Sequence, residues 1–427
     1  MSKSMDIIIL GGGIAGLTTA LSLTKFTCPP PNITLYEIRP EPATIGGAVN
    51  LTPNALRLLS HLGALQEMQS AGYGAECPAV EVFDLYTNVK IAESSFQGAQ
   101  GKGLGDPPFT ALRITRGEAL KGVLAAIEKH PNIRLICGKK TVDVSEDDSG
   151  VSITFEDSDT ARADVLIGCD GIHSVTRLKH VEPERKAIYS GICNAFGFAP
   201  RRKINDAGDY APTHFQVSGM NFGRRGMLLT SFHNQVRDSI YVGALMQVPE
   251  VADHNGWKAA GVDAQKTRSE MLERYNGAAN PYIAHWIEDA HDLYLWPVFT
   301  LPKGGKWATQ RVMLIGDSAH AMPPQGESTG IVFEDGVLFS RCLAKWMQSR
   351  RGEGVPVKEA FDAYEKLRRA RIDIAFDESQ SVVKTVQDTP WWGHKIKMNV
   401  VPWYLWWTKG YREKHFVEDV TRCDIGY

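Results

Sequence analysis

At three places in the chain an apolar run ends in glycine, twice with an acid beside it: Leu10 into Gly11-Gly12-Gly13-Ile14-Ala15-Gly16, Ile167 into Gly168-Cys169-Asp170-Gly171, and Ile315 into Gly316-Asp317-Ser318-Ala319-His320. The first is the fullest. In Gly11-x-Gly13-x-x-Gly16 each glycine has a separate role, namely turning the chain, letting backbone approach a pyrophosphate, and letting a helix pack closely on a strand. The N–H groups at the start of that helix offer a positive end to the phosphates. Glu37 closes the run Ile33-Thr34-Leu35-Tyr36, about where a carboxylate grips an adenosine ribose through its hydroxyls. The chemistry indicated is dinucleotide binding; the competing reading is a glycine-rich turn made for packing alone.

The elements that must position these residues follow from pattern. Ile7-Ile8-Ile9-Leu10 is a short β-branched run, and Leu17 to Leu23 resumes as a helix, so residues 6–37 read as strand, tight turn, helix, strand. Thr52 before Pro53 is a reasonable N-cap for the helix that follows. Adjacent Gly46 and Gly47 let backbone run against something flat, or form a plain loop. Residues 76–110 read as strands around a soft loop, 97–108, that lacks a phosphate-loop Gly-Lys-Ser/Thr. Arg113 and Arg116 at the start of the next helix oppose its dipole: either one of them faces an anion, or both are solvated.

Segments 133–137, 141–145 and 151–155 alternate like a three-stranded meander. From 189 to 299 the pattern is strand-rich, with 227–232 and 239–246 the best strands and a helical insert near 264–275, which reads as a substrate domain on an antiparallel sheet. The tail is helical and holds Trp391, Trp392, Trp403, Trp406 and Trp407 among Lys395, Lys397, Lys409 and Arg412. Tryptophan beside lysine suits a peripheral membrane contact or a hydrophobic partner. The reading favoured from sequence is that these aromatics pack the helix onto the body.

The composition, 427 residues with 43% hydrophobic and 22% charged, allows two or three domains of an ordinary folded enzyme. A formal charge of −2 provides no basic field for nucleic acid. The seven cysteines are scattered and never in Cys-x-x-Cys spacing, so neither disulfide framework nor zinc site is indicated, and a reducing compartment fits. Asp6 precedes the apolar stretch that could be taken for a signal core, and no run reaches the roughly 18 residues of a membrane span. A cytoplasmic protein without a metal is expected.

Taken together, Gly11-x-Gly13-x-x-Gly16 with Glu37, the central Cys169-Asp170-Gly171 and the late Gly316-Asp317-Ser318-Ala319-His320 resemble the single-component FAD-dependent aromatic hydroxylases. The match is to the salicylate- and para-hydroxybenzoate-hydroxylase-like group, particularly its fungal members in specialised metabolism, over roughly residues 5–380. The resemblance implies an α/β (α+β) fold: a Rossmann-like FAD-binding domain, an inserted antiparallel-sheet substrate domain and a C-terminal helical segment. The corresponding boundaries are 1–75, 111–180 and 301–350 for FAD binding, 76–110 and 181–300 for substrate, and 351–427 for the helical region.

By the same matching, Gly11, Gly13 and Gly16 hold the pyrophosphate, Glu37 the ribose, and Gly47 and Ala48 line the flavin ring. Arg116 reaches the phosphate or ribityl region, Asp170-Gly171 serves FAD and NAD(P)H, and Gly316-Asp317 meets the ribityl chain, where a carboxylate can accept hydroxyl hydrogen bonds. Gly326, Ser328 and Gly330 lie beside the isoalloxazine, although many relatives read Pro-x-x-Gly-Gln-Gly-x-Asn where this chain has Pro323-Pro324-Gln325-Gly326-Glu327-Ser328-Thr329-Gly330. A second departure is in Cys193-Asn194-Ala195-Phe196-Gly197-Phe198, which lacks the arginine many phenol-hydroxylating relatives carry. Its absence leaves room for a neutral, electron-rich substrate such as an indole or an alkene to be epoxidised.

The activity implied is a monooxygenase: FAD, reduced by NAD(P)H, and O2 deliver one oxygen atom to an aromatic or other electron-rich small molecule. A flavin oxidase or dehydrogenase, and a non-redox flavin-binding scaffold, are the alternatives; a halogenase is disfavoured because no Trp-x-Trp-x-Ile-Pro stretch occurs. Catalytic residues are not assigned. Tyr241, His214, His233 and Arg202 are candidate pocket residues.

Overall fold

The computed structural model describes residues 4–44, 46–98, 101–204, 209–251, 254–324, 326, 328–349 and 354–426. Asp6–Leu10 is the centre of a five-stranded parallel sheet in the order Val312–Leu314, Val165–Gly168, Asp6–Leu10, Asn32–Tyr36, Ile133–Ile136. Its run Ile7-Ile8-Ile9-Leu10 is wholly buried, as a parallel strand covered on both faces requires. Helix Ile14–Phe26 brings polar side chains into this core without orphaning them. Thr18, Thr19 and Ser22 donate to the carbonyls of Ile14, Ala15 and Thr18 at 2.6, 2.7 and 2.7 Å. Helix Ser328–Ser349 packs on it through Gly336, where a Cβ would stand 3.0 Å from the Thr19 hydroxyl.

A seven-stranded sheet forms the second half, in the order His291–Thr300, Ile188–Pro200, Ser239–Gln247, Gly226–Phe232, Ser218–Gly223, Ala79–Asp84, Lys90–Ser95. It is antiparallel except where Ser218–Gly223 runs alongside Ala79–Asp84. A three-stranded antiparallel sheet, Ala48–Leu51, Ala111–Thr115, Ala75–Cys77, belongs to both halves. Leu51 and Ile114 point into the core of the parallel sheet, whereas Ala48 and Arg113 reach the seven-stranded one.

Three expectations need correction. Ile133–Ile136 is not part of the meander: it pairs Ile33↔Ile133 through Tyr36↔Ile136 as the edge of the parallel sheet. The meander is Thr141–Asp147, Gly150–Phe155 and Thr160–Ala163. Thr52 occupies the cap position of helix Pro53–His61, but its hydroxyl donates to Asn54 Oδ1 at 2.7 Å and makes no cap bond to backbone. Most consequential, four of the five tail tryptophans, Trp392, Trp403, Trp406 and Trp407, do not pack helix Trp391–Trp407 onto the body, being between 59% and 71% exposed, whereas Trp391 does pack, 4.8 Å from the Tyr86 ring and under the Arg224 guanidinium. The inward side is His394, Met398, Val401 and Leu405; the last three pack on the sheet beside Val82, Phe222 and Met227, and His394 sits 3.3 Å from Asp84. Among the described residues no helix is long and apolar enough to cross a membrane.

Candidate active site

Because neighbouring strands of the parallel sheet run the same way, their C-terminal ends line one edge. Gly11 N donates to Tyr36 O at 2.8 Å, Cys169 N to Leu10 O at 2.7 Å and Ile315 N to Gly168 O at 2.9 Å, bringing the turns at 11–16, 37, 169–171 and 315–317 side by side. Two of the glycines are obligatory. A Cβ on Gly11 would stand 2.3 Å from Cys169 O, and one on Gly16 2.0 Å from Gly11 O. Gly13, the N-cap of helix Ile14–Phe26, faces open space and carries no side-chain cap, so the first N–H groups of that helix remain available.

Glu37 is buried at the strand end. Its Oε2 accepts from Gly12 N at 2.8 Å and its Oε1 from Arg39 N at 2.9 Å, which orients the carboxylate and still leaves each oxygen a lone pair for a sugar hydroxyl. Asp317 is exposed at the start of the short helix Asp317–His320, directly after Gly316 at φ +69°. This cradle fits the pyrophosphate, ribose and ribityl groups of an adenine dinucleotide. Asp170 is turned elsewhere: its carboxylate accepts from Ser174 Oγ at 2.5 Å and from Thr176 N and Oγ1 at 2.9 Å each. Burial pushes its pKa up and these bonds pull against that. Gly171, at φ +78°, makes the turn.

Thr115 and Glu118 cap helix Arg116–Ile127 reciprocally, so Arg116 is not needed for capping. Arg116 N donates to Gly47 O at 3.0 Å, and its side chain crosses Gly46, where a Cβ would lie 2.5 Å from Arg116 Cδ. Gly47 is pressed against the ring of Tyr241; a Cβ there would come within 2.1 Å of it. Ala48, Phe196 and Tyr241 pack as one cluster, flanked by Phe198, Leu229 and Tyr294. Gly330 is hemmed by Thr52 and Asn54, and Gly326 is exposed at φ +89°. Ser328 begins its helix, while its side chain, Gln325 and Glu327 lie outside the described residues.

Arg113 is the residue whose role the sequence leaves open. It is 3% exposed. Nε donates to Ser231 Oγ at 2.9 Å, Nη1 reaches Asn50 Oδ1 at 3.5 Å, and the guanidinium carbon lies 5.0 Å from the centroid of Tyr241. Its Nη2 is buried with no partner. Burial pulls its pKa down from the usual arginine value, and the groups opposing this are Tyr241 and Cys77, not a carboxylate. An arginine therefore does face the seven-stranded sheet, supplied by strand Ala111–Thr115 instead of by Ile188–Pro200.

Of the other pocket candidates, His233 lies edge-on to Phe198, bonds Ser239 Oγ at 3.0 Å and keeps a buried Nδ1 without a partner. Burial lowers its pKa, which favours the neutral imidazole. His214 is spent on Asn221 and Asn280, at 2.8 and 2.6 Å, and Arg202 is exposed. Sequence reasoning also missed a buried network behind the site. Arg368 bonds Asp335 at 2.5 Å and Glu334 at 2.8 Å; Asp335 bonds His320 and Glu334 bonds Asn54, each at 2.8 Å. The only signal was the acidic pair Glu334-Asp335 inside the otherwise apolar stretch from Ile331 to Phe339.

A glycine cradle, a buried acid with lone pairs to spare and a second acid at a neighbouring strand end fit a flavoprotein of the dinucleotide-binding class. Residues 4–190 match the FAD binding domain family. Salicylate hydroxylase of Pseudomonas putida is 27% identical over 380 residues, covering 86% of this chain and 82% of that protein. Hispidin-3-hydroxylase of Neonothopanus nambi is 24% identical, covering 88% of each. Among solved structures, HpxO of Klebsiella pneumoniae complexed with FAD and uric acid shares the fold with a TM-score of 0.74 at 20% identity, covering 99% of this chain and 98% of that one. The chain is thus similar along most of its length to single-component FAD-dependent aromatic hydroxylases, with an FAD binding domain over residues 4–190.

Proposed function

We propose that this FAD-dependent monooxygenase takes its electrons from NADH or NADPH and adds one atom of O2 to an aromatic or enolic small molecule carrying an anionic oxygen, in secondary-metabolite biosynthesis. The observation that carries the substrate class is Arg113, a buried guanidinium without a carboxylate partner, beside the aromatic cluster that abuts Gly47 and Ala48. An uncompensated buried charge costs stability, and an oxyanion seated against Nη2 offsets that cost. Phe196, Phe198 and Tyr241 offer ring faces and edges to a flat molecule. The relatives that act on salicylate and hispidin support this reading of the substrate class.

Bound FAD supplies hydride acceptance and oxygen activation. This chain's residues do the rest. Gly11, Gly13 and Gly16 would admit the pyrophosphate, Glu37 would take the ribose hydroxyls and Asp317 the ribityl chain, Arg116 would reach the phosphate or ribityl region, and Gly47, Ala48, Gly326, Ser328 and Gly330 would frame the ring. Asp170 and Gly171 shape the loop that leaves strand Val165–Gly168 beside the Gly11 turn. Tyr241 and the phenylalanines exclude water from the substrate side.

The test is the purified protein's visible spectrum, then NADH or NADPH bleaching and O2 uptake with a panel of phenols, hydroxybenzoates and indoles. Faster bleaching and a product gaining one oxygen atom are expected. Failure to take up FAD, or no compound that accelerates bleaching and gains oxygen, overturns the reading.

A further inference from the structure

The exposed side of helix Trp391–Trp407 is its most apolar one. Trp392, Ile396, Val400, Trp403 and Trp407 recur every three or four residues, with Trp406 and Tyr404 at the margins, and all are exposed. The opposite side is already occupied against the seven-stranded sheet by Met398, Val401 and Leu405. A helix apolar all round is normally buried in a core or in lipid, and this one is buried on one side only. Trp403 and Trp407 stack in parallel, 5.9 Å between centroids, forming a flat outward plate.

Charge selects the occupant. The helix contains no Asp or Glu, and its two lysines, Lys395 and Lys397, fall on opposite borders of the stripe. Lys397 runs along the surface to Gly223 O at 3.4 Å, and Asp388, the acid that acts on it, is held by Arg274 at 3.2 Å. Lys409 and Lys414 continue the cationic end in Lys409–Val417. A second copy of the chain would bring no carboxylate from this helix to meet those lysines. Tryptophan and tyrosine partition to the headgroup boundary, and flanking lysines meet anionic headgroups.

We infer that helix Trp391–Trp407 lies in the plane of a bilayer containing anionic lipid, with Trp392, Trp403, Trp406 and Trp407 inserted and Lys395 at the headgroups. This surface is independent of the flavin site. The contact is monotopic, since the same helix keeps its other side on the protein.

Flotation of the full chain with vesicles of phosphatidylcholine, alone or mixed with phosphatidylserine, tests it. Binding to the mixed vesicles is expected, with tryptophan emission moving to shorter wavelength. The variant W403S/W406S/W407S should bind at least about tenfold more weakly, and K395E should lose the preference for phosphatidylserine. Circular dichroism, unchanged in both variants because these side chains are exposed, keeps the comparison on the surface. No flotation of the unmodified chain, or equal flotation of the triple variant, overturns the inference. A concentration-dependent dimer that the triple variant abolishes, with no vesicle binding, overturns it too and assigns the face to a second copy.

Discussion

Arg368 and Arg113 are both buried, and their surroundings could hardly differ more. Arg368 places each of its three nitrogens on an acceptor: Asp335, Glu334 and the Ile331 carbonyl, at 2.5 to 2.8 Å. Arg113 has one short bond, to Ser231, a long reach to Asn50, the face of Tyr241 and an idle Nη2. The first arginine joins helix Ser328–Ser349 to Lys358–Thr385 behind the cofactor cradle; the second keeps one nitrogen without a partner. Burial alone does not distinguish structural from functional charge. The count of satisfied partners does.

The largest effect expected is from Arg368→Met, which strands Glu334 and Asp335 without their cation and should cost about 3–5 kcal/mol in urea unfolding. Arg113→Met should leave stability within about 1 kcal/mol of the parent or raise it, because a costly charge is removed with few bonds. Equal losses in the two variants would break the contrast. For ligands, the FAD-loaded protein should bind at least one benzoate about tenfold more tightly than its benzamide, a gap of about 1.4 kcal/mol that Arg113→Met closes. If every benzoate and amide titrate alike in the parent, Arg113 is not an anion seat.

The pH dependence sharpens the same comparison. Burial would raise the Asp335 carboxyl, yet His320 and Arg368 hold it below the usual aspartate value. A depressed folded-state pKa means that this stabilisation is complete above the unfolded pKa and drains away as pH falls through it toward the folded value. Stability should therefore decline below about pH 4, the ordinary aspartate range, and Asp335→Asn should lack that increment. Urea midpoints across pH settle it. Smallest of all, Ser231→Ala should cost about 1 kcal/mol and loosen benzoate binding a few-fold without erasing the preference over the amide.

The cradle could be read in advance because strand, glycine turn, helix and acid are neighbours in sequence. Glu37 and Asp317 stand at the ends of apolar runs, where local pattern locates them. Arg113 was visible only as a charge before a helix. That it sits on a strand paired with Asn50 and opposes Ser231 depends on register between segments 63 and 118 residues distant. The wrongly drawn meander has the same origin, since Ile133–Ile136 found its partner in Asn32–Tyr36 and not in the strand that follows it. The tryptophans erred differently. Their three- and four-residue spacing was on view, but the sequence does not say which of two apolar sides meets the protein.

Strand Ala111–Thr115 carries a practical consequence for engineering. A chimera that exchanges the seven-stranded sheet for a relative's would carry over the aromatic walls and leave Arg113 behind with the host, because that residue is threaded on the cofactor half's ladder. Grafts meant to transplant selectivity would have to cut outside residues 111–115, or they would pair a new chamber with an old charge.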